Sequence, residues 1–248
     1  MNVFVTGATA GFGTAIVSQF IEHGHSVIAT GRRSERLQEQ KKKYGDKIHI
    51  VTLDVRQKDE VFKIVKDLPK PFSEIDTLIN NAGLALGLEP AQRAKIDDWQ
   101  TMVDTNINGV LNCTNAILPQ MVSRNKGHII NLGSVAGEFP YPGGNVYGAT
   151  KAFVHQFSLN IRSDLSGTAV RVTNVEPGLC GGTEFSEIRY KGDKDKASAV
   201  YKGVDYLTAA DVAETVYWVA SRPPHVNINT ISMMPVAQSF AGFLIHRK

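Results

Sequence analysis

Short apolar runs alternate with longer amphipathic stretches along nearly the whole chain. The runs at Asn2–Thr6, Ser26–Thr30, Ile48–Leu53, Asp76–Asn80, His128–Gly133, Ala169–Val175 and Asn229–Met233 read as strands. Most are continuously apolar rather than alternating, as expected of strands covered on both faces. Between them, helical periodicity marks Ala15–His23, Ser34–Tyr44, a segment opening near Gln57, Asp97–Arg124, Val146–Leu165 and Thr208–Ser221. Gly109 and Pro119 interrupt the long Asp97–Arg124 stretch only mildly. Strand–helix alternation predicts an α/β architecture, one doubly wound parallel sheet with helices on both faces. The segment Leu179–Gly203 is polar and carries Gly181, Gly182 and Gly192, so it reads as an irregular lid after a central strand. The tail Pro235–Lys248 carries Phe240, Phe243, Leu244 and Ile245, a composition that packs rather than hangs free. With no repeat, linker or low-complexity tract, residues 1–248 read as one domain with a loop at 179–203 and a tail at 235–248.

Composition acts mainly by exclusion. Hydrophobic residues make up 42% and charged residues 21% of the 248, as in an average soluble globular protein. The net charge of +3 is spread along the chain, which suits small anionic ligands and gives no case for nucleic acid or a membrane surface as partner. Cys113 and Cys180 have no motif spacing and read as free thiols in a reducing compartment. No basic segment followed by a long apolar run opens the chain, and no apolar run is long enough to span a bilayer, so a cytoplasmic location is expected. The histidines lack metal-ligand spacing, so no metal is expected.

The first strand runs into Gly7-Ala8-Thr9-Ala10-Gly11-Phe12-Gly13 and then a helix. A strand, a glycine-rich turn and a helix N-terminus form a phosphate site, because the glycines admit the ligand to the backbone and free N–H groups face the anion. Gly7, Thr9, Ala10, Gly11, Phe12 and Gly13 are therefore candidate cofactor contacts in a Rossmann-type fold. The second strand ends in Gly31-Arg32-Arg33, where an NAD-binding fold usually carries an acid for the ribose 2′-hydroxyl. Two arginines there suit a 2′-phosphate, so the cofactor reads as NADP(H). Asp54-Val55 closes the third strand; its carboxylate either accepts from an adenine amine or caps the next helix. Asn81, Ala82 and Gly83 follow the fourth strand and are small enough for close approach to a ligand.

Candidate chemistry concentrates in Ser134–Lys151. Tyr147 and Lys151 are four apart, on one face of a helix opened after Pro142-Gly143-Gly144. An ammonium near the phenol favours the phenolate and should lower its pKa, making Tyr147 a usable acid/base; Ser134 would hold the same substrate oxygen. A second Tyr-x-x-x-Lys, at Tyr190 and Lys194, sits among charged residues and reads as solvated loop. Asn106, on the long helix, is either a structural hydrogen-bonder or the holder of a water near Lys151.

Thr6-Gly7-x-x-x-Gly11-x-Gly13, Asn80-Asn81-Ala82-Gly83, Asn106, Ser134, Tyr147-x-x-x-Lys151 and Pro177-Gly178 resemble the motif set of the short-chain dehydrogenases/reductases, in that family's order over essentially the whole chain. Longer runs such as G-G-N-V-Y-G-A-T-K-A-F-V resemble its bacterial NADP-dependent 3-hydroxy acid dehydrogenases, which act on serine and allo-threonine and are also described as malonic semialdehyde reductases. The resemblance implies reversible hydride transfer between nicotinamide and C3 of a short 3-hydroxy acid, with 3-hydroxypropionate/malonic semialdehyde as one pair. It implies Tyr147 as acid/base, Lys151 as its tuner and a binder of nicotinamide ribose, Ser134 as substrate holder, Asn106 as anchor of a relay water, Pro177 and Gly178 as cofactor contacts, and a homotetramer packed through Asp97–Arg124 and Val146–Leu165. A related branch reduces sulfoacetaldehyde to isethionate, and a non-catalytic NADP-binding sensor is a further alternative. Many NADP-preferring members carry a basic residue in the glycine turn where this chain has Ala10, so Arg32 and Arg33 alone would hold the 2′-phosphate. A hydroxy acid brings a carboxylate that needs donors or a cation. Gly143, Gly144 and Asn145 offer neutral donors, and Arg189, beside Phe185, Ile188 and Tyr190, is either the cation for the acid group or part of a solvated basic loop, with Arg247 of the tail as another candidate.

Overall fold

The computed structural model describes residues 1–240. Seven strands, β1 (Asn2–Val5), β2 (Ser26–Gly31), β3 (Ile48–Thr52), β4 (Thr77–Asn80), β5 (Gly127–Leu132), β6 (Val170–Pro177) and β7 (Thr230–Met233), form one sheet in the order β3-β2-β1-β4-β5-β6-β7. Every pairing is parallel. The chain runs outward from β1 in one direction and then restarts at β4 in the other. Ligands of such sheets lie beyond the strand C-termini at that reversal, so β1 and β4 place the site.

Helices α1 (Gly11–Glu22), α2 (Ser34–Tyr44), α3 (Lys58–Lys66), α4 (Ile96–Val103), α5 (Gly109–Ser123), α6 (Asn145–Asp164), α7 (Phe185–Arg189), α8 (Lys194–Ala199) and α9 (Ala209–Ala220) complete the described elements. One core gathers Ile16, Val17 and Phe20 of α1 with Val212 and Val216 of α9 on one face of the sheet. A second gathers Cys113, Ile117 and Met121 of α5 with Phe4, Leu78 and Ile129 on the other. All four residues of β4 are buried, as continuous apolar patterning requires.

Two expectations need correction. The stretch Asp97–Arg124 is not one regular helix: α4 and α5 are joined by a π-helical turn over Asp104–Asn108. Gly109 is no breaker there, because a Cβ on it would stand 2.6 Å from Val55 Cγ2; its smallness lets α5 approach the strand end. The segment Leu179–Gly203 is not irregular throughout, since α7 and α8 form within it, the latter capped by the Asp193 side chain accepting from the Lys196 N–H. The tail does pack as far as it is described: Gln238 Oε1 accepts from the Leu179 N–H at 2.6 Å, and the Phe139 and Phe240 rings lie 4.4 Å apart. Phe243, Leu244, Ile245 and Arg247 lie outside the described residues.

The glycine turn depends on close backbone approach. Gly7 and Gly11 have φ of +66° and +50°, and a Cβ on Gly13 would stand 2.2 Å from the Gly7 carbonyl oxygen. The Gly7 backbone cannot swing away and the Asn81 amide on the other side is held by hydrogen bonds, so Gly13→Ala is expected to cost about 1–3 kcal/mol as overpacking. Urea unfolding checks this: a lowered midpoint at unchanged slope is expected, and an unchanged midpoint would show that the turn relaxes freely.

Candidate active site

A cleft of about 840 Å³ opens along the C-terminal ends of the strands. At one end lies the glycine turn. Helix α1 starts at Gly11 after an extended Ala10, with no side-chain cap and no acid in its first turn, so its first N–H groups remain available to an anion. The facing wall is fixed by Asn81, whose amide donates to the Thr6 and Gly7 carbonyls at 2.8 and 3.2 Å. Thr6 Oγ1 in turn accepts from the Asn81 and Ala82 N–H groups at 3.0 and 2.9 Å. The buried Thr6 hydroxyl thus clamps the ends of β1 and β4, a role its place in the motif alone does not reveal. Asn80 is instead a buried structural residue, donating to Thr114 Oγ1 and Asn131 Oδ1.

Gly7, Thr9, Ala10, Gly11, Phe12, Arg32, Arg33, Asp54, Val55, Asn81, Ala82, Gly83, Pro177 and Gly178 all line this cleft; Gly13 lies behind the turn it packs against. Arg32 is exposed and makes no hydrogen bond or ion pair among the described residues. Arg33 differs: its Nη1 pairs with Glu184 Oε2 at 2.7 Å, and its Nε donates to Thr9 Oγ1 at 3.2 Å. Arg36, one helical turn on, pairs with the other Glu184 oxygen at 2.7 Å. Arg36 was legible as a third basic residue on the same helix end; Glu184 carried no signal. Asp54 does not cap α3. Its carboxylate is held by the Arg56 guanidinium at 2.6–3.0 Å, which keeps its pKa below the usual carboxylate range.

At the other end, β5 delivers Ser134 and α6 delivers Tyr147 and Lys151. All three line the cleft yet are nearly buried, at 8–9% exposure. Lys151 Nζ donates to the Leu132 carbonyl at 2.7 Å and stands 5.9 Å from the Tyr147 ring centre. Burial pushes the Lys151 ammonium down to about 8 and the Tyr147 phenol up to about 12. The expectation that Lys151 lowers the phenol is therefore corrected for the protein by itself. Burial dominates, and the Ser134 hydroxyl and Arg189 guanidinium are the groups that oppose it.

Asn106 is buried and hydrogen-bonded: its amide donates to the Leu84 carbonyl at 2.9 Å and Thr150 Oγ1 at 3.0 Å, and its oxygen accepts from the Leu84 N–H at 2.9 Å. Both its amide protons are spent and only one oxygen lone pair is left, so it ties the π turn to the segment after Gly83 and to α6. Gly143, Gly144 and Asn145 do not line the cleft. The Gly144 N–H donates to Tyr141, Gly143 packs against Leu88, and Asn145 accepts from Trp99 Nε1 at 3.0 Å and from the Val146 N–H at 2.8 Å. These residues open α6 rather than offer donors. Arg189 does enter the cleft, with Nη2 donating to the Tyr141 hydroxyl at 2.6 Å and the guanidinium 5.5 Å from the Tyr147 ring. Tyr190, expected in solvated loop, also lines it.

The short chain dehydrogenase family model matches residues 1–193. The chain belongs to the short-chain dehydrogenase family. It is 61% identical over the full length of both proteins to the NADP-dependent 3-hydroxy acid dehydrogenase YdfG of Escherichia coli O6:H1. It is 51% identical to serine 3-dehydrogenase of Agrobacterium fabrum, over all of this chain and 98% of that one. Among solved structures, the closed form of a serine dehydrogenase complexed with NADP+ matches with a TM-score of 0.99 at 60% identity, covering both chains completely. The family and the fold read from the motifs are thus both borne out.

Proposed function

We propose that this short-chain dehydrogenase is an NADP(H)-dependent oxidoreductase acting on short 3-hydroxy acids and the corresponding 3-oxo acids, malonic semialdehyde among them. The observation that carries the substrate class is the placement of Arg189: a guanidinium turned into the cleft between Tyr141 and Tyr147, beside the residue proposed to move the proton. A guanidinium grips a carboxylate through two parallel bonds, and a sulfonate by the same geometry. The names of the close relatives point the same way.

The cleft fits a dinucleotide on its own terms. The glycine turn has no space for a Cβ at Gly7 or Gly13, α1 presents its uncapped N-terminus, and Arg32 and Arg33 stand where a 2′-phosphate would lie. Lys151 Nζ lies 3.6 Å from where a Cβ on Gly83 would stand, so Gly83 keeps open the space for a ribose beside the lysine. Bound there, the nicotinamide would supply or take the hydride. Tyr147 would donate its hydroxyl proton to the substrate oxygen in reduction and take it back in oxidation, with Ser134 holding that oxygen. Asn106, with both amide protons used, would hold a relay water through an oxygen lone pair, of the side chain or of the backbone. A phenol held protonated by burial favours the reductive direction at neutral pH.

The free thiols Cys113 and Cys180 suit a reducing cytoplasm, and among the described residues no helix is long and apolar enough to cross a membrane. A homotetramer would pack through α5 and α6, which expose Val122 and Leu159.

Tyr147→Phe keeps the ring and removes the proton, so turnover should fall by about 10²–10⁴-fold, the usual worth of a general acid/base, while NADPH still binds. In the wild type, reduction should hold level through neutral pH and oxidation should climb with pH, because only oxidation needs the deprotonated phenol. A near-normal kcat in the variant, or opposite pH slopes, would refute the assignment.

Arg32→Ala should weaken NADPH by roughly 10- to 150-fold, the loss of one charge-assisted hydrogen bond, and leave NADH nearly unchanged. Equal effects in fluorescence titrations would show that Arg32 does not read the phosphate. Arg189→Ala should raise KM for acid substrates by at least about tenfold on the same basis and spare an uncharged aldehyde. If both substrates respond alike, Arg189 only shapes the loop.

A further inference from the structure

Helix α7 lies across the cleft and is tied down at both ends. At its C-terminal end, the Gly87 N–H donates to the Arg189 carbonyl at 2.9 Å, and Lys191 Nζ meets Asp98 Oδ2 at 2.6 Å. At its N-terminal end, Glu184 takes one guanidinium on each carboxylate oxygen, Arg33 and Arg36, both at 2.7 Å. Those arginines also hold the glycine turn, through Thr9 Oγ1 and the Thr9 carbonyl at 3.2 and 3.1 Å. A helix of five residues is only about 8 Å long at 1.5 Å per residue, so a change at Glu184 is passed to Arg189 with little slack.

We infer that Glu184 is a specificity-determining counter-charge: it subtracts from the positive field at the 2′-phosphate position while positioning Arg189 at the substrate's acid group. The inference rests on the function proposed above. Its physical basis is that Arg33 has two claimants. A phosphate seated against Arg32 and Arg33 meets the Glu184 carboxylate across the same guanidinium, and like charges oppose each other. The Arg33–Glu184–Arg36 cluster therefore holds NADPH affinity below what its arginines alone would give. In return, α7 stays docked whether or not a 2′-phosphate is present, because Arg36 keeps one carboxylate oxygen whatever Arg33 does. Glu184 is accordingly a positioning residue for substrate and a direct electrostatic neighbour of the cofactor's 2′ end. With each partner more than a third exposed, solvent screening limits the effect to about 2- to 10-fold.

Glu184→Gln keeps the size and hydrogen-bonding reach of the side chain and removes its charge. NADPH and NADH are titrated by fluorescence against wild type and variant without substrate, and KM is measured for malonic semialdehyde and for propanal. The variant is expected to bind NADPH about 2- to 10-fold more tightly, with NADH unchanged, and to show a raised KM for malonic semialdehyde and none for propanal. A merely structural loop residue would not tighten the cofactor. If the variant binds NADPH equally or more weakly, or tightens NADH to the same extent, the inference is overturned. If wild type itself shows no preference for NADPH over NADH, the cofactor reading fails and the inference falls with it. Preference in wild type with no gain in the variant overturns the inference alone.

Discussion

The site depends on keeping a lysine ammonium out of water. Lys151 is held inside the protein on one protein hydrogen bond, to the Leu132 carbonyl at the end of β5. Burying such a charge is costly unless it is paired or hydrogen-bonded, so its surroundings must be built to hold it. The end of β5 supplies the carbonyl. The π turn, through Asn106, locks α6 to the segment that follows Gly83, and Gly137 lets the segment after Ser134 lie directly on the Lys151 backbone, where a Cβ would stand 2.7 Å away. The same burial pushes the Tyr147 phenol up to about 12.

Electrostatic asymmetry then organises the cleft from end to end. Uncapped N–H groups and Arg32 line one end of the cleft, and Arg189 stands at the other. The α7 segment joins them, held at one end by Glu184 and at the other by Lys191 on Asp98. A sheet that reverses its winding at β1 and β4 is what allows one short segment after β6 to reach both ends.

Much of this was legible in the residues. Apolar runs identify all seven strands, most of them continuous because the inner parallel strands are buried on both faces, while the edge strands β3 and β7 are only half-buried. The glycine turn, Ser134, Tyr147 and Lys151 are readable because each is demanded locally, by backbone approach or by spacing on a helix. What was not legible arises from long-range contacts. Gly143, Gly144 and Asn145 look like donors until the structure packs Gly143 against Leu88, spends the Gly144 N–H on the Tyr141 carbonyl and spends the Asn145 amide on the Glu89 carbonyl. Asn106 looks like a free donor until its two amide protons are found on the Leu84 carbonyl and Thr150 Oγ1. Glu184 lies 151 residues from Arg33, and nothing in its neighbourhood announces the pairing. The phenol's pKa was misjudged for a related reason: a spacing shows that Lys151 is near but not how deeply both groups are buried.

The proposed function is a cleft that selects an aldehyde carrying an acid group and reduces it with NADPH. The most direct measurement compares kcat/KM for malonic semialdehyde, sulfoacetaldehyde and propanal under saturating NADPH. One charge-assisted contact to the acid group is worth roughly 10- to 150-fold, so at least one of the two acids should exceed propanal by that margin, and the larger of the two would name the physiological anion. Propanal reduced as well as both acids would contradict the account.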